Sequence, residues 1–262
     1  MESALAEIEF LALSPNRVET LRLLAEEPHT RRELVEATGA SQPTLGRILG
    51  DFEERSWVVR EGGAYRATAT GELVARGFDD LLSIVDTEEK LRPVVRWLPT
   101  DVMEFDLEQL ADATITTPSQ VRPNAPVKRA LDLLGDAEEV RIFSYAFNEQ
   151  SLDVITDRTA AGEQRFQGVF SASAIDAIAD DSRLRHQLHD LLTADRASIR
   201  ITDEEIPLAA TVADSVVHLF LRDERGLLQA SLDVDDSAVL AWADDLFDRY
   251  WETATPLDPK QL

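Results

Sequence analysis

Apolar positions along the first third of the chain recur at helical spacing and are broken at regular intervals by capping residues. Ala4, Ile8, Leu11 and Leu13 give residues 2–13 one apolar side. Ser14-Pro15 is an N-cap followed by proline at the first helical position. Val18, Leu21, Leu23 and Leu24 then form an apolar face through about Glu26, and Pro28 stops that helix. Thr30 caps a second helix, RRELVEATG, with Glu33 three residues on, the spacing of a capping box. Gly39 ends it where a left-handed cap is common. Ser41 caps a third helix, QPTLGRILGDFEERSWV, whose Leu45, Ile48, Leu49 and Phe52 stand at i, i+3, i+4 and i+7. Trp57–Arg60 and Ala64–Thr68 read as two short strands around Glu61-Gly62-Gly63. Helix, helix, glycine turn, helix and hairpin within 14–68 predict a winged helix-turn-helix over residues 1–68.

From Thr70 a long helical stretch carries Leu73, Phe78, Leu81, Leu82, Val85, Leu91, Val94, Val95, Trp97 and Leu98. Asp86-Thr87 is expected to break it in two and Pro93 to kink it. Residues 69–98 are therefore read as linker and dimerisation helices. Beyond 99 the pattern alternates. Strands are expected at 113–117, 139–145, 165–171, 197–202, 208–212, 216–221 and 227–234. Helices are expected over Pro126–Leu134, ended by Gly135, and over Asn148–Thr159 and Ser173–Leu192. A short helix is expected around Leu107. A last helix carries Val239, Trp242, Ala243, Leu246, Phe247 and Tyr250 on one face. Strands that alternate with helices and end in a meander predict a mixed sheet flanked by helices over 99–262. The fold class is thus α+β in the first domain and α/β in the second.

Charge adds a functional hint. Fifty acids against 26 basic residues give −24, and 23 of the basic residues are arginine. With 44% hydrophobic residues the chain is a folded protein with an acidic surface, not an acidic tail. Many carboxylates with almost no lysine is a style of salt-loving archaea, in line with the solubility that high net charge provides. The charge is uneven. Residues 14–68 hold eight arginines and nine acids, net −1, whereas 99–262 hold 14 basic residues and 32 acids, net −18. A polyanionic partner requires a surface from which acid is kept away. No cysteine is present, which removes disulfides, thiolate nucleophiles and cysteine metal sites. The start, MESALAEIEF, reads as no signal peptide, and no stretch is long and apolar enough to span a membrane. A soluble, cytoplasmic protein is expected.

Within the third helix, burial of Leu45, Ile48, Leu49 and Phe52 leaves Gln42, Pro43, Thr44, Gly46 and Arg47 facing outward. A recognition helix presents such first-turn residues to base edges in the major groove. Gln42, Thr44 and Arg47 are the candidates for base readout, since glutamine suits adenine and arginine suits guanine as bidentate partners. Gly46 is expected to let the DNA backbone approach. Arg31 and Arg32 open the second helix and are phosphate candidates. Arg60, Tyr65 and Arg66 are placed on the wing for backbone or minor-groove contact. The segment ELVEATGASQPTLGRILGDFEERSWVVREGGAYRATATG resembles the DNA-binding domain of haloarchaeal transcriptional regulators, a resemblance that covers residues 1–98.

In the second half, DEEIPLAATVAD…VVHLFLRDERG and AVLAWADDLFDRYWE resemble the effector domain of archaeal regulators of the FilR1 type. That resemblance implies a fold like the phospholipase D superfamily. Hydrolases of that superfamily use a His-x-Lys pattern. Lysine occurs here only at 90, 128 and 260, none two residues after a histidine. His186, His189 and His218 therefore lack the partner the chemistry needs, and the domain is expected to be non-catalytic, with no cofactor and no metal. A pocket at the carboxyl ends of the strands would draw on Ser144, Tyr145, Asn148, Ser171 and Ser173. Arg141, Thr211 and Arg222 would supply anion binding. The pattern predicts a sequence-specific transcriptional regulator acting as a homodimer on double-stranded operator DNA, with a small-molecule effector or a dimer contact in the second domain and no membrane partner. The alternative is a constitutive architectural DNA-binding protein whose second half only oligomerises.

Overall fold

The cap residues read from the sequence organise the N-terminal fold. In the computed structural model, which describes residues 1–146, 148–179 and 181–259, α1 (Glu2–Ala12) is followed by α2 (Pro15–Glu26). Of the apolar side expected on α1, Leu11 is buried while Ile8 and Leu13 are exposed. Phe10 does the packing instead. Its ring meets Phe52 and Trp57 edge-on, and the guanidinium groups of Arg17 and Arg55 lie 4.0 and 3.8 Å from its centroid. After α2, Glu27 is extended, as a residue before proline prefers.

A short strand, β1 (His29–Thr30), leads into α3 (Arg31–Thr38). Thr30 and Glu33 close the capping box reciprocally: Glu33 N–H donates to Thr30 Oγ1 at 3.3 Å and Thr30 N–H donates to Glu33 Oε2 at 2.7 Å. Gly39 ends α3 in the left-handed conformation, and Ser41 caps α4 (Gln42–Glu54). Leu45, Ile48, Leu49 and Phe52 of α4 are all buried. The helix stops at Glu54, short of the Trp57-Val58 to which the sequence reading extended it. Ser56 takes a left-handed turn and Val58 starts a strand. Strands β2 (Val58–Glu61) and β3 (Ala64–Ala67) pair antiparallel about Gly62-Gly63, both at positive φ, as a two-residue hairpin of this type requires. The sheet order is β1-β3-β2. Together α3, its turn, α4 and the hairpin make a winged helix-turn-helix.

Helix α5 runs unbroken from Ala69 to Leu91. The expected break at Asp86-Thr87 does not occur, because both residues keep their backbone N–H and neither is a glycine or proline. The helix ends just before Arg92-Pro93, where proline disfavours continuation. The chain divides into two compact units, Met1–Asp86 and Thr87–Leu262. Ala75 and Phe78 of α5 belong to the first unit's core, while Leu91, Val94 and Leu98 belong to the second's.

The second unit adds 3-10 turns at Val95–Trp97 and Leu107–Leu110, then β4 (Thr114–Thr116), α6 (Ala125–Asp136), β5 (Glu139–Ser144) and α7 (Glu149–Ala160). These are followed by β6 (Arg165–Ser171), α8 (Ala172–Ala179), α9 (Ser182–Thr193) and β7 (Ala197–Thr202). Strands β8 (Ala210–Ala213), β9 (Val216–Arg222) and β10 (Leu228–Val234), helix α10 (Ser237–Thr253) and β11 (Thr255–Pro256) complete it. Gly135 lies inside the last turn of α6 instead of ending it. One sheet in the order β11-β7-β6-β5-β8-β9-β10-β4 holds these strands. Strands β5, β6 and β7 are parallel, and the remaining pairings are antiparallel. Alternation along each strand feeds two cores. On one face Phe143, Val169, Val212 and Leu219 pack with Val239, Phe247 and Tyr250 of α10. On the other, Ile142, Phe166 and Phe170 pack with Leu134, Leu152, Leu184 and Leu188 of α6, α7 and α9. Among the described residues no helix is long and apolar enough to cross a membrane.

Candidate functional sites

At the start of α4, Gln42 and Arg47 are exposed and Arg47 has no ion pair or hydrogen bond among the described residues. Thr44 is half-buried, and its hydroxyl lies 2.8 Å from the Ser41 hydroxyl, so it belongs to the cap as well as to the surface. Arg31 reaches across from α3 and donates through Nη2 to the Gln42 carbonyl at 2.5 Å. Its guanidinium fills the space where a Cβ at position 46 would stand. Gly46 therefore makes room for an arginine at the amino end of α4. Arg32 is solvent-facing and paired to Glu36 one turn on at 2.9 Å.

On the hairpin, Arg66 forks onto Glu61 at 3.1 and 3.2 Å. That hydrogen bond raises the Arg66 guanidinium above its ordinary range and holds the Glu61 carboxyl below its own. Arg60 is exposed, with its guanidinium 5.5 Å from the Tyr65 ring. Tyr65 itself is only 8% exposed and belongs to the core. Its placement on the wing surface is corrected: Tyr65 and Ala67 share the inward face of β3 while Arg66 points out. The structure thus gathers Arg31, Gln42, Thr44 and Arg47 at the amino end of α4, leaves Arg60 and Arg66 exposed on opposite faces of the hairpin, and withdraws Tyr65.

In the second unit, Ser144, Asn148, Thr211 and Arg222 meet at one cavity of about 90 Å³, walled in part by Ile142, Phe170 and Phe220. Ser144 stands at the carboxyl end of β5 and donates through Oγ to the Ala146 carbonyl at 2.6 Å. Asn148 caps α7, its Oδ1 accepting from Ser151 N–H at 3.1 Å. Arg222 donates through Nη1 to the Gly226 carbonyl at 2.8 Å, while its Nε is buried with no partner. Tyr145 and Ser173 line a neighbouring pocket of about 350 Å³. Two candidates join neither. Ser171 caps α8, accepting from Ala174 N–H at 3.3 Å. Arg141 lies on the opposite face of β5, paired to Asp244 of α10 at 2.5 Å. Period-two alternation separates it from Ser144, three residues on.

The sequence reading missed a buried ionic chain. His218 Nδ1–H donates to Asp233 Oδ1 at 2.5 Å, and Arg129 Nε donates to Asp233 Oδ2 at 2.5 Å. His218 is 1% exposed. Burial pushes the Asp233 carboxyl up, but hydrogen bonds from His218 and Arg129 outweigh it and hold it below the ordinary range. His218 Nε2 and Ser231 Oγ are buried without partners. The signal was the facing register of β9 and β10, which pairs His218 with Asp233 and is not visible until the hairpin is laid out. His186 and His189 are exposed on α9 beside Asp190, and Lys260 lies outside the described residues.

A family model for the middle domain of the methanogenesis regulatory protein FilR1 matches residues 123–253, half of the chain. The chain belongs to the FilR1 family. A second model, the HVO_A0261 N-terminal domain, matches residues 5–90. No match was found among curated proteins. Similar solved structures include TrmBL2, described as an archaeal chromatin protein with a novel mode of DNA binding. It is 16% identical over 95% of this chain and 98% of that one, with a TM-score of 0.45. NucT from Helicobacter pylori and the phospholipase D family member Nuc from Salmonella typhimurium are each 11% identical. Each covers 55% of this chain and 98% of its own, with TM-scores of 0.44 and 0.43. The FilR1 match opens two residues before α6 and closes with α10. It therefore holds the whole lining of the cavity and the His218–Asp233–Arg129 chain.

Proposed function

We propose that this FilR1-family protein is a DNA-binding transcriptional regulator. The observation that carries the reading is the amino end of α4. Arg47, without a partner among the described residues, stands on the face opposite Leu45, Ile48, Leu49 and Phe52, and Gln42 is exposed in the first turn, where an Arg31 is already hydrogen-bonded into place. That is the layout by which a recognition helix reads base edges from its first turns. Arg47 would take a guanine edge and Gln42 an adenine edge, while Arg31, Arg32, Arg60 and Arg66 meet phosphates. The near-neutral block around them, in a chain of −24, supports a polyanionic partner.

In this reading the protein works in the cytoplasm as a homodimer, in a salt-rich cell. The second unit carries no chemistry of its own and takes a small effector. An effector that binds one arrangement of the dimer better than another shifts the population towards it, and operator affinity follows. Selection of the protein's preferred sites from a random duplex library tests the first half. An enriched motif with two related half-sites is expected. Recovery of no motif above the starting library would overturn the regulator reading.

A further inference from the structure

We infer that the effector is a compact monocarboxylate, seated in the cavity between α6 and the sheet with its carboxylate on Arg222. The inference rests on the reading of the second unit as a sensing domain. Its starting point is the Nε–H of Arg222, buried without an acceptor among the described residues. A buried N–H left unpaired is unfavourable, and an anionic oxygen brought to Arg222 from the cavity it lines would relieve it. The donor is held for that use. Nη1 is bonded to the Gly226 carbonyl at 2.8 Å, which fixes the plane of the guanidinium.

The cavity selects the class of anion. Among the described residues its lining holds one cation, Arg222, and no carboxylate, in a chain with 50 acids. One positive charge suits a single negative charge, and a dianion such as phosphate would be half-neutralised. The Thr211 hydroxyl lies on the same lining as a second donor, while the Ser144 O–H is already held by the Ala146 carbonyl. The other walls, Ile142, Phe170 and Phe220, are apolar and suit a hydrocarbon body. Size sets the limit. A dry cavity of roughly 150 Å³ takes benzene, with six non-hydrogen atoms, so about 90 Å³ takes about four, which puts propionate, with five, at the upper limit of size. Arg222 also borders a shallower groove with Arg96, Trp97 and Leu98, in the turn that follows α5.

Titration calorimetry of the full chain with sodium propionate, at constant total salt, tests the site. Propionamide serves as the neutral isostere and inorganic phosphate as the dianion. Saturable binding of propionate is expected, with at least tenfold weaker binding of propionamide and phosphate. Arg222→Gln is expected to raise the propionate Kd at least tenfold, and Arg222→Lys, which keeps the charge, to raise it less. Equal binding of propionate and propionamide, unchanged binding in Arg222→Gln, or no binding of propionate to the wild type would each overturn the inference. Should either variant unfold, Thr211→Val supplies the same test, with weaker propionate binding expected and unchanged binding contradicting. A parallel measurement of affinity for the selected duplex separates the two readings. Propionate that binds through Arg222 but leaves DNA affinity unchanged supports the site and overturns sensing. Phosphate or propionamide binding that alters DNA affinity keeps sensing and overturns the carboxylate.

Discussion

The Arg31 guanidinium occupies the space a methyl group at position 46 would need, and it is the tip of a flexible side chain. Gly46→Ala should therefore swing Arg31 aside at little cost. Alanine in a helix interior is worth about 0.5–1 kcal/mol over glycine. The expected outcome is a melting temperature equal to or above wild type, together with weaker DNA binding once Arg31 leaves the amino end of α4. Thermal unfolding and a binding isotherm on the same sample check both. A loss of stability with unchanged DNA affinity would contradict the assignment. Spacing makes Arg47 legible as a surface group, because four apolar neighbours at helical spacing define the other side of α4, whereas Gln42, three residues before Leu45, is exposed because it stands at the helix's first position. Tyr65 was misplaced although the means to place it was present: in β3 it alternates with Arg66, so the two cannot both face out. Arg141 and Ser144 carry the same lesson in β5.

Elements with reciprocal caps are set by the sequence most firmly. Thr30 and Glu33 bound the start of α3 in both readings, and Thr30→Ala should destabilise the protein by about 1 kcal/mol, measured by denaturant unfolding. Wild-type stability after the substitution would show that tertiary packing alone holds α3. What stayed hidden are elements that depend on a distant partner. Strand β1 is two residues long, doubles as the cap of α3, and exists only because β3 lies beside it. The continuity of α5 through Asp86-Thr87 was hidden because weak helix formers are tolerated in a long helix that packs at both ends. The Asp233 network joins α6 to two strands and is likewise long-range. Its carboxyl titrates below the unfolded value, so the ion contributes stability above that value and the contribution is lost as pH falls through the folded pKa. Asp233→Asn should cost about 2–4 kcal/mol near neutral pH and flatten the acid limb of the stability profile. An unchanged acid limb would contradict the role.

The whole molecule carries −24, and self-repulsion at low salt opposes compaction. Raising KCl from tens of millimolar to molar shortens the screening length from about 10 Å or more to about 3 Å. The melting temperature should rise steeply over that range, as a scan at fixed pH would show, and a flat or falling profile would contradict an acidic surface adapted to salt. The same screening weakens phosphate contacts, so in the proposed function base readout carries more of the operator affinity. In the proposed function α4 reads sequence through Arg47. This is tested most directly by measuring Kd for the selected duplex and its single-base variants with wild type and Arg47→Ala at molar KCl. A loss of about 1–3 kcal/mol is expected, concentrated at one guanine position whose preference disappears in the variant. Equal affinity and an unchanged preference at every position in Arg47→Ala would contradict the claim.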